Sequence, residues 1–97
     1  MDLSSKQKKQ LKGLAHNLNP VVLVGSDGVS AGVLKEINRC LENHELIKIK
    51  IRCDNQVELK GYLDDILDST DASLVQVIGH SVILFKQSPE LRIQLVK

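Results

Sequence analysis

Two glycines three residues apart, Gly25 and Gly28, bracket Ser26 and Asp27 and stand just before Ser30, a good helix N-cap residue. Lacking a Cβ, glycine can turn through positive φ and let another backbone come close, so such a loop presents exposed amides. The helix start beyond it adds unpaired N–H groups and partial positive charge, which together can hold an anion such as phosphate. The same spacing also serves a bare strand-to-helix turn. Spacing alone leaves both readings open.

Cations suited to an anionic ligand occur in two further places. Lys9, Lys12 and His16 recur at i, i+3 and i+7 on one helical stripe, with Lys6 beside them. Lys48, Lys50 and Arg52 alternate with Ile47, Ile49 and Ile51, so they share one side of a strand. Cations so placed repel one another unless negative charge lies across from them, and either protein carboxylates or a phosphate backbone would serve. Solvated surface is the plain alternative for both sets.

Other chemistries find little support. Cys40 falls inside an apolar helical stripe and reads as a small core residue, while Cys53 has no adjacent base in sequence. The two lack C-x-x-C spacing. His44 reads as a helix-terminal residue and His80 as a turn residue without a second ligand at a recognised spacing, so neither a metal nor a cofactor is expected. With one Tyr and one Phe, a platform stacking several bases is not available. No apolar N-terminal run reads as a signal peptide or membrane span, so a cytoplasmic chain with reduced thiols and no membrane partner is expected.

The elements that position these residues follow from periodicity. Leu11, Leu14, Ala15 and Leu18 form the apolar stripe of a helix over 4–18, closed by Asn19-Pro20. Val21–Val24 runs without polar alternation, as in a strand covered on both faces. Val33, Leu34, Ile37, Cys40 and Leu41 predict a helix over 31–43, and the 45–53 segment a strand. Asn55 with Glu58 caps a third helix whose buried stripe is Leu59, Tyr62, Leu63, Ile66 and Leu67. Leu74–Ile78 and Ser81–Phe85, joined by Gly79-His80, predict a hairpin. The fold class is therefore α/β (α+β), in the order helix, strand, helix, strand, helix, strand, strand: a four-stranded mixed sheet packed with helices. Its 97 residues suffice for one domain, with 87–97 a tail that either packs on the body or is partly mobile.

A net charge of +1 conceals a dipole. Residues 1–20 set Lys6, Lys8, Lys9 and Lys12 against Asp2, whereas 54–71 set Asp54, Glu58, Asp64, Asp65, Asp68 and Asp71 against Lys60. Oriented docking on a polyanion is one use of such polarity.

Several blocks together resemble a known family: Leu3-Ser4-Ser5-Lys6-Gln7-Lys8, Leu11-Lys12-Gly13-Leu14-Ala15-His16, Pro20-Val21-Val22-Leu23-Val24-Gly25, Gly32-Val33-Leu34, His44-Glu45-Leu46-Ile47-Lys48 and Val77-Ile78-Gly79-His80. Over nearly the whole chain these are similar to the stand-alone bacterial YhbY-type proteins of the CRM (chloroplast RNA splicing and ribosome maturation) domain family. The resemblance implies a non-enzymatic, RNA-binding domain similar in fold to the C-terminal domain of translation initiation factor 3. It also implies association with ribosomal RNA or precursors of the large ribosomal subunit; a monomer is expected, with ribosomal proteins as further candidate partners. The family's glycine loop carries over onto Gly25, Ser26, Asp27 and Gly28 and resembles the backbone-gripping loop of KH domains. KH-type loops usually hold a basic residue between the glycines; here Ser26 and Asp27 offer amide and hydroxyl contacts alone. Positive charge would then come from Lys6, Lys9, Lys12, Lys48 and Lys50. The competing reading is an adaptor whose acidic third helix docks on a basic ribosomal or assembly protein.

Overall fold

A computed structural model describes residues 2–25 and 27–97. The element order is the predicted one: α1 (Ser5–Ala15), β1 (Pro20–Val24), α2 (Ala31–His44), β2 (Leu46–Ile51), α3 (Gln56–Thr70), β3 (Ser73–Ile78) and β4 (Ser81–Phe85). Each helix begins on a capping side chain. Ser4 and Gln7 form a reciprocal capping box, Ser30 accepts from Val33 N–H, and Asn55 accepts from Glu58 N–H.

The sheet runs in the order β1-β2-β4-β3. β1 and β2 pair in parallel, and β4 is antiparallel to both β2 and β3. β2 and β3 therefore point the same way, as two helical crossovers require, but the last strand of the chain is inserted between them.

Alternation along β2 divides the core into two layers. Ile47, Ile49 and Ile51 join Val22, Val24, Val82 and Leu84 beneath α2 and α3, which contribute Ile37, Cys40, Leu41, Leu59, Leu63 and Ile66. Leu46 turns to the opposite face with Val75, Ile83 and Phe85, where Leu11 and Ala15 of α1 cover them.

Two predicted details are corrected. β1 is covered on one face, not both: Val22 and Val24 are buried, whereas Val21 and Leu23 are about half exposed, because β1 is an edge strand and α1 packs mainly over β2 and β3. The first helix stops at Ala15, three residues before the predicted end, and a turn closed by Leu18 N–H on Ala15 carbonyl leads into β1. Leu14, though inside the helix, is half exposed rather than part of the buried stripe.

The tail after β4 has neither helix nor strand but is fastened at several points. Ile93 and Leu95 pack against the α1 layer. Gln7 and Gln10 donate to the Val96 and Gln94 carbonyls, and Val96 N–H donates back to Gln10. The central fastening is Glu45, which sits between α2 and β2 with φ 62° and is completely buried. Its carboxylate accepts the backbone N–H groups of Ser88, Arg92 and Ile93 at 2.8–3.1 Å, together with the Ser88 hydroxyl. Burial pushes this carboxyl up, but the Ser88 hydroxyl and the three backbone donors outweigh it and hold the group at about 2.

Candidate nucleic-acid interface

The glycine loop leaves β1 at the end of the sheet where three connections meet. Val24, the last residue of β1, accepts from Arg52 N–H at 2.8 Å, and Ile51 N–H donates to the His80 carbonyl at 2.9 Å. The loop, the exit from β2 and the β3–β4 turn therefore lie side by side. Gly28 N–H donates to the Gly25 carbonyl at 3.0 Å and closes the loop before Ser30 opens α2.

The two glycines answer to different constraints. Gly28 has φ +75°, and a Cβ placed there would stand 3.1 Å from Cε1 of Tyr62 on α3, so both backbone and packing demand glycine. At Gly25 φ is not positive and a Cβ would meet nothing within 4 Å. Nothing among the described residues requires a glycine there. Asp27 is exposed, and Ser26 lies outside the described residues.

The lysines gather on one side of the sheet. Lys48 and Lys50 point away from the Ile47 layer, toward the face on which α1 packs, and Lys6, Lys9 and Lys12 are exposed on α1. α1 is seated over the Leu46 and Phe85 end, whereas the loop is at the Ile51 end, roughly 17 Å away for five strand residues. Lys48 and Lys50 occupy the interval between them. At the level of Lys50 the register aligns Leu23, Lys50, Ser81 and Ile78 across all four strands. Leu23 and Ile78 in this row are about half exposed. The structure thus provides a lysine-bearing strip of open sheet running from α1 to the loop.

Carboxylates do not neutralise this strip. Among the described residues the one ion pair is Arg39–Glu36, on the outer side of α2. The acidic residues Asp64, Asp65 and Asp68 are exposed on α3, across the sheet from α1. The charge dipole read from sequence is therefore a dipole through the sheet.

Other candidates fall into structural roles. Cys40 is buried, and burial, followed by the nearby Glu36 carboxylate, pushes its thiol up, away from the reactive thiolate. Among the described residues no three His, Cys, Asp or Glu side chains converge as metal donors would. No helix there is long and apolar enough to cross a membrane.

Sequence reasoning passed over Arg52 and His80 as neighbours of the loop. Their adjacency arises from pairing between strands far apart in the chain, although the alternation Lys48, Lys50, Arg52 already placed the arginine at the end of β2. Tyr62 counted as a core residue, whereas it is half-buried beneath Gly28. The role of Glu45 carried no local signal.

The sequence matches the CRS1 / YhbY (CRM) domain model over residues 3–86. The chain belongs to the CRS1/YhbY (CRM) domain family. Among its relatives in this family, a Haemophilus influenzae protein named RNA-binding protein is 47% identical over 93 residues, covering 96% of this chain and 94% of that one. A Pseudomonas aeruginosa protein named a probable RNA-binding protein is 37% identical, covering 93% of this chain and 86% of its own. The solution structure of a Staphylococcus aureus protein, described as a candidate RNA-binding protein, superposes with a TM-score of 0.85 at 35% identity. That match covers 98% of this chain and all of the other. The four-stranded CRM architecture seen here is thus shared with a solved relative.

Proposed function

We propose that this CRM domain binds structured RNA by its phosphate backbone and assists assembly of the large ribosomal subunit from precursor particles in the cytoplasm. The observation that carries the reading is the asymmetry of charge. Lys6, Lys9, Lys12, Lys48 and Lys50 share one side of the sheet, without ion-pair partners among the described residues, and the acidic face of α3 is turned away. Such a surface attracts a polyanion and orients it. The amides of the Gly25–Gly28 loop, Asp27 and Ser26 included, and the start of α2 then receive phosphate oxygens at one end of the strip. The names of the relatives support RNA as the ligand. Contacts of this kind position an RNA by shape rather than reading base edges in a duplex. The role is that of a binding module acting as a single domain and a monomer, with no reaction assigned to it.

The test is the salt dependence of binding to a ribosomal RNA fragment. Replacing Lys48 and Lys50 by glutamate should weaken binding and flatten the plot of log K against log salt by about one unit for each phosphate the protein no longer neutralises. Co-sedimentation with precursor large subunits should fall in parallel. An unchanged slope, with co-sedimentation abolished instead when Asp64, Asp65 and Asp68 are replaced by asparagine, would overturn this reading and make the acidic helix the docking surface.

A further inference from the structure

Beside the loop lies a cleft of about 250 Å³ lined by Arg52, Cys53, Asp54, Glu58 and Tyr62. It is smaller than the roughly 300–1,000 Å³ of sites for drug-sized ligands, and so is of a size for one heterocycle rather than a stack. Both flanks of the loop are tied to it. Arg52 N–H holds Val24, the residue before Gly25, and the Tyr62 ring lies against Gly28. A chain whose phosphates ride over the loop therefore passes the mouth of this cleft.

We propose that the cleft receives a single unpaired nucleobase, guanine in preference to uracil, from the RNA held at the loop. The inference rests on the RNA-binding reading and extends it to base selection.

Charge argues for a base and against a second phosphate. Arg52 contributes one cation to the lining and Asp54 and Glu58 two carboxylates, a net negative charge that repels phosphate yet accepts a neutral ring carrying N–H donors. Among the described residues neither carboxylate has an ion-pair partner to occupy it. Guanine presents N1–H and N2–H side by side on its Watson–Crick edge, a match for one carboxylate. Uracil presents one N–H flanked by two carbonyl oxygens, which a carboxylate repels. Tyr62 supplies the aromatic surface that a flipped-out base uses, and Arg52 a planar cation that can stack on it. A chain too poor in aromatics for a stacking platform thus keeps its one tyrosine where a single base can use it.

Tyr62 is also the only tyrosine in a chain without tryptophan, so intrinsic fluorescence reports on this cleft alone. The experiment compares a uridine octamer with octamers carrying one central guanosine, adenosine or cytidine, in low salt, following both affinity and tyrosine emission. The guanosine octamer should bind about tenfold tighter than all-uridine and quench the emission. Glu58→Gln should abolish that preference by tightening all-uridine binding, since the carboxylate that repels uracil's carbonyl oxygens is gone, and should lower the melting temperature by no more than a few degrees for the lost charge in the first turn of α3. Tyr62→Leu, which also touches the core, serves as a second variant and should lose the preference with the salt slope intact. Equal affinity for all octamers with unquenched emission from the bound protein would overturn the base site while RNA binding stands. If neither the octamers nor a ribosomal RNA fragment bind in low salt, the RNA-binding reading falls and the base site falls with it.

Discussion

Alanine at Gly25 and at Gly28 should have opposite consequences, and the structure sets the sizes. At Gly28 an L-residue must adopt φ near +75°, at a cost of roughly 1–2 kcal/mol, and its Cβ would press on Tyr62 at 3.1 Å. The lower entropy of the unfolded alanine chain returns about 0.4–1 kcal/mol. The net loss of about 1 kcal/mol corresponds to a fall in Tm of roughly 4–8 °C for a domain of this length. At Gly25 the unfolded-state gain applies without strain or contact, so alanine should leave Tm unchanged or raise it by a few degrees. Binding should reverse the order. If a phosphate approaches the amides at Gly25, a methyl group there disrupts at least one charge-assisted hydrogen bond, about 1.5–3 kcal/mol, or roughly tenfold or more in Kd. Thermal denaturation by circular dichroism and RNA binding by fluorescence anisotropy, corrected for the folded fraction, give both numbers. Wild-type affinity in a folded Gly25→Ala protein refutes a phosphate at the loop. A lowered Tm for the same variant refutes the open space around Gly25.

Three further outcomes are expected. Because the Glu45 carboxyl is held at about 2 in the folded state against an ordinary 4.5, its contribution of about 3 kcal/mol is complete above pH 4.5 and is lost as pH falls from there toward 2; Glu45→Ala should be less stable at neutral pH and should lack this portion of the acid dependence in urea titrations. Asp27→Lys should leave Tm nearly unchanged, since the side chain is exposed, yet tighten RNA binding in low salt and steepen its salt slope; unaltered binding would place the RNA away from the loop. Cys40 should react with a bulky thiol reagent far more slowly in the native protein than in denaturant, and equal rates would contradict its burial under α2.

Much of the fold was legible because each element carries its own periodicity and cap. Ser30 and Asn55 announce α2 and α3, Ile47-Lys48-Ile49-Lys50-Ile51 announces β2, and Gly79-His80 the hairpin. β1 misled because an unbroken apolar run can belong to an edge strand when its outer residues, here Val21 and Leu23, are simply left half exposed. At the loop, two glycines look alike in sequence. They part only when Tyr62, more than thirty residues onward, is brought under one of them. Glu45 was illegible for the same reason, since its donors come from Ser88, Arg92 and Ile93 at the far end of the chain.

The place of β4 in the sheet has a consequence for how the chain matures during synthesis. β1, α2 and β2 are contiguous and can assemble early, but β2 then carries an unpaired inner edge until residues 81–85 have left the ribosome. No partial chain ending before β4 can bury both layers of the core, so folding depends on a late, long-range strand insertion that is intrinsically slow. Glu45 then has three backbone amides to collect from 88–93, after the sheet is closed. Residues 88–93 act as a latch on the closed sheet, and a ribosome paused before residues 81–85 emerge would hold a nascent chain with an open strand edge.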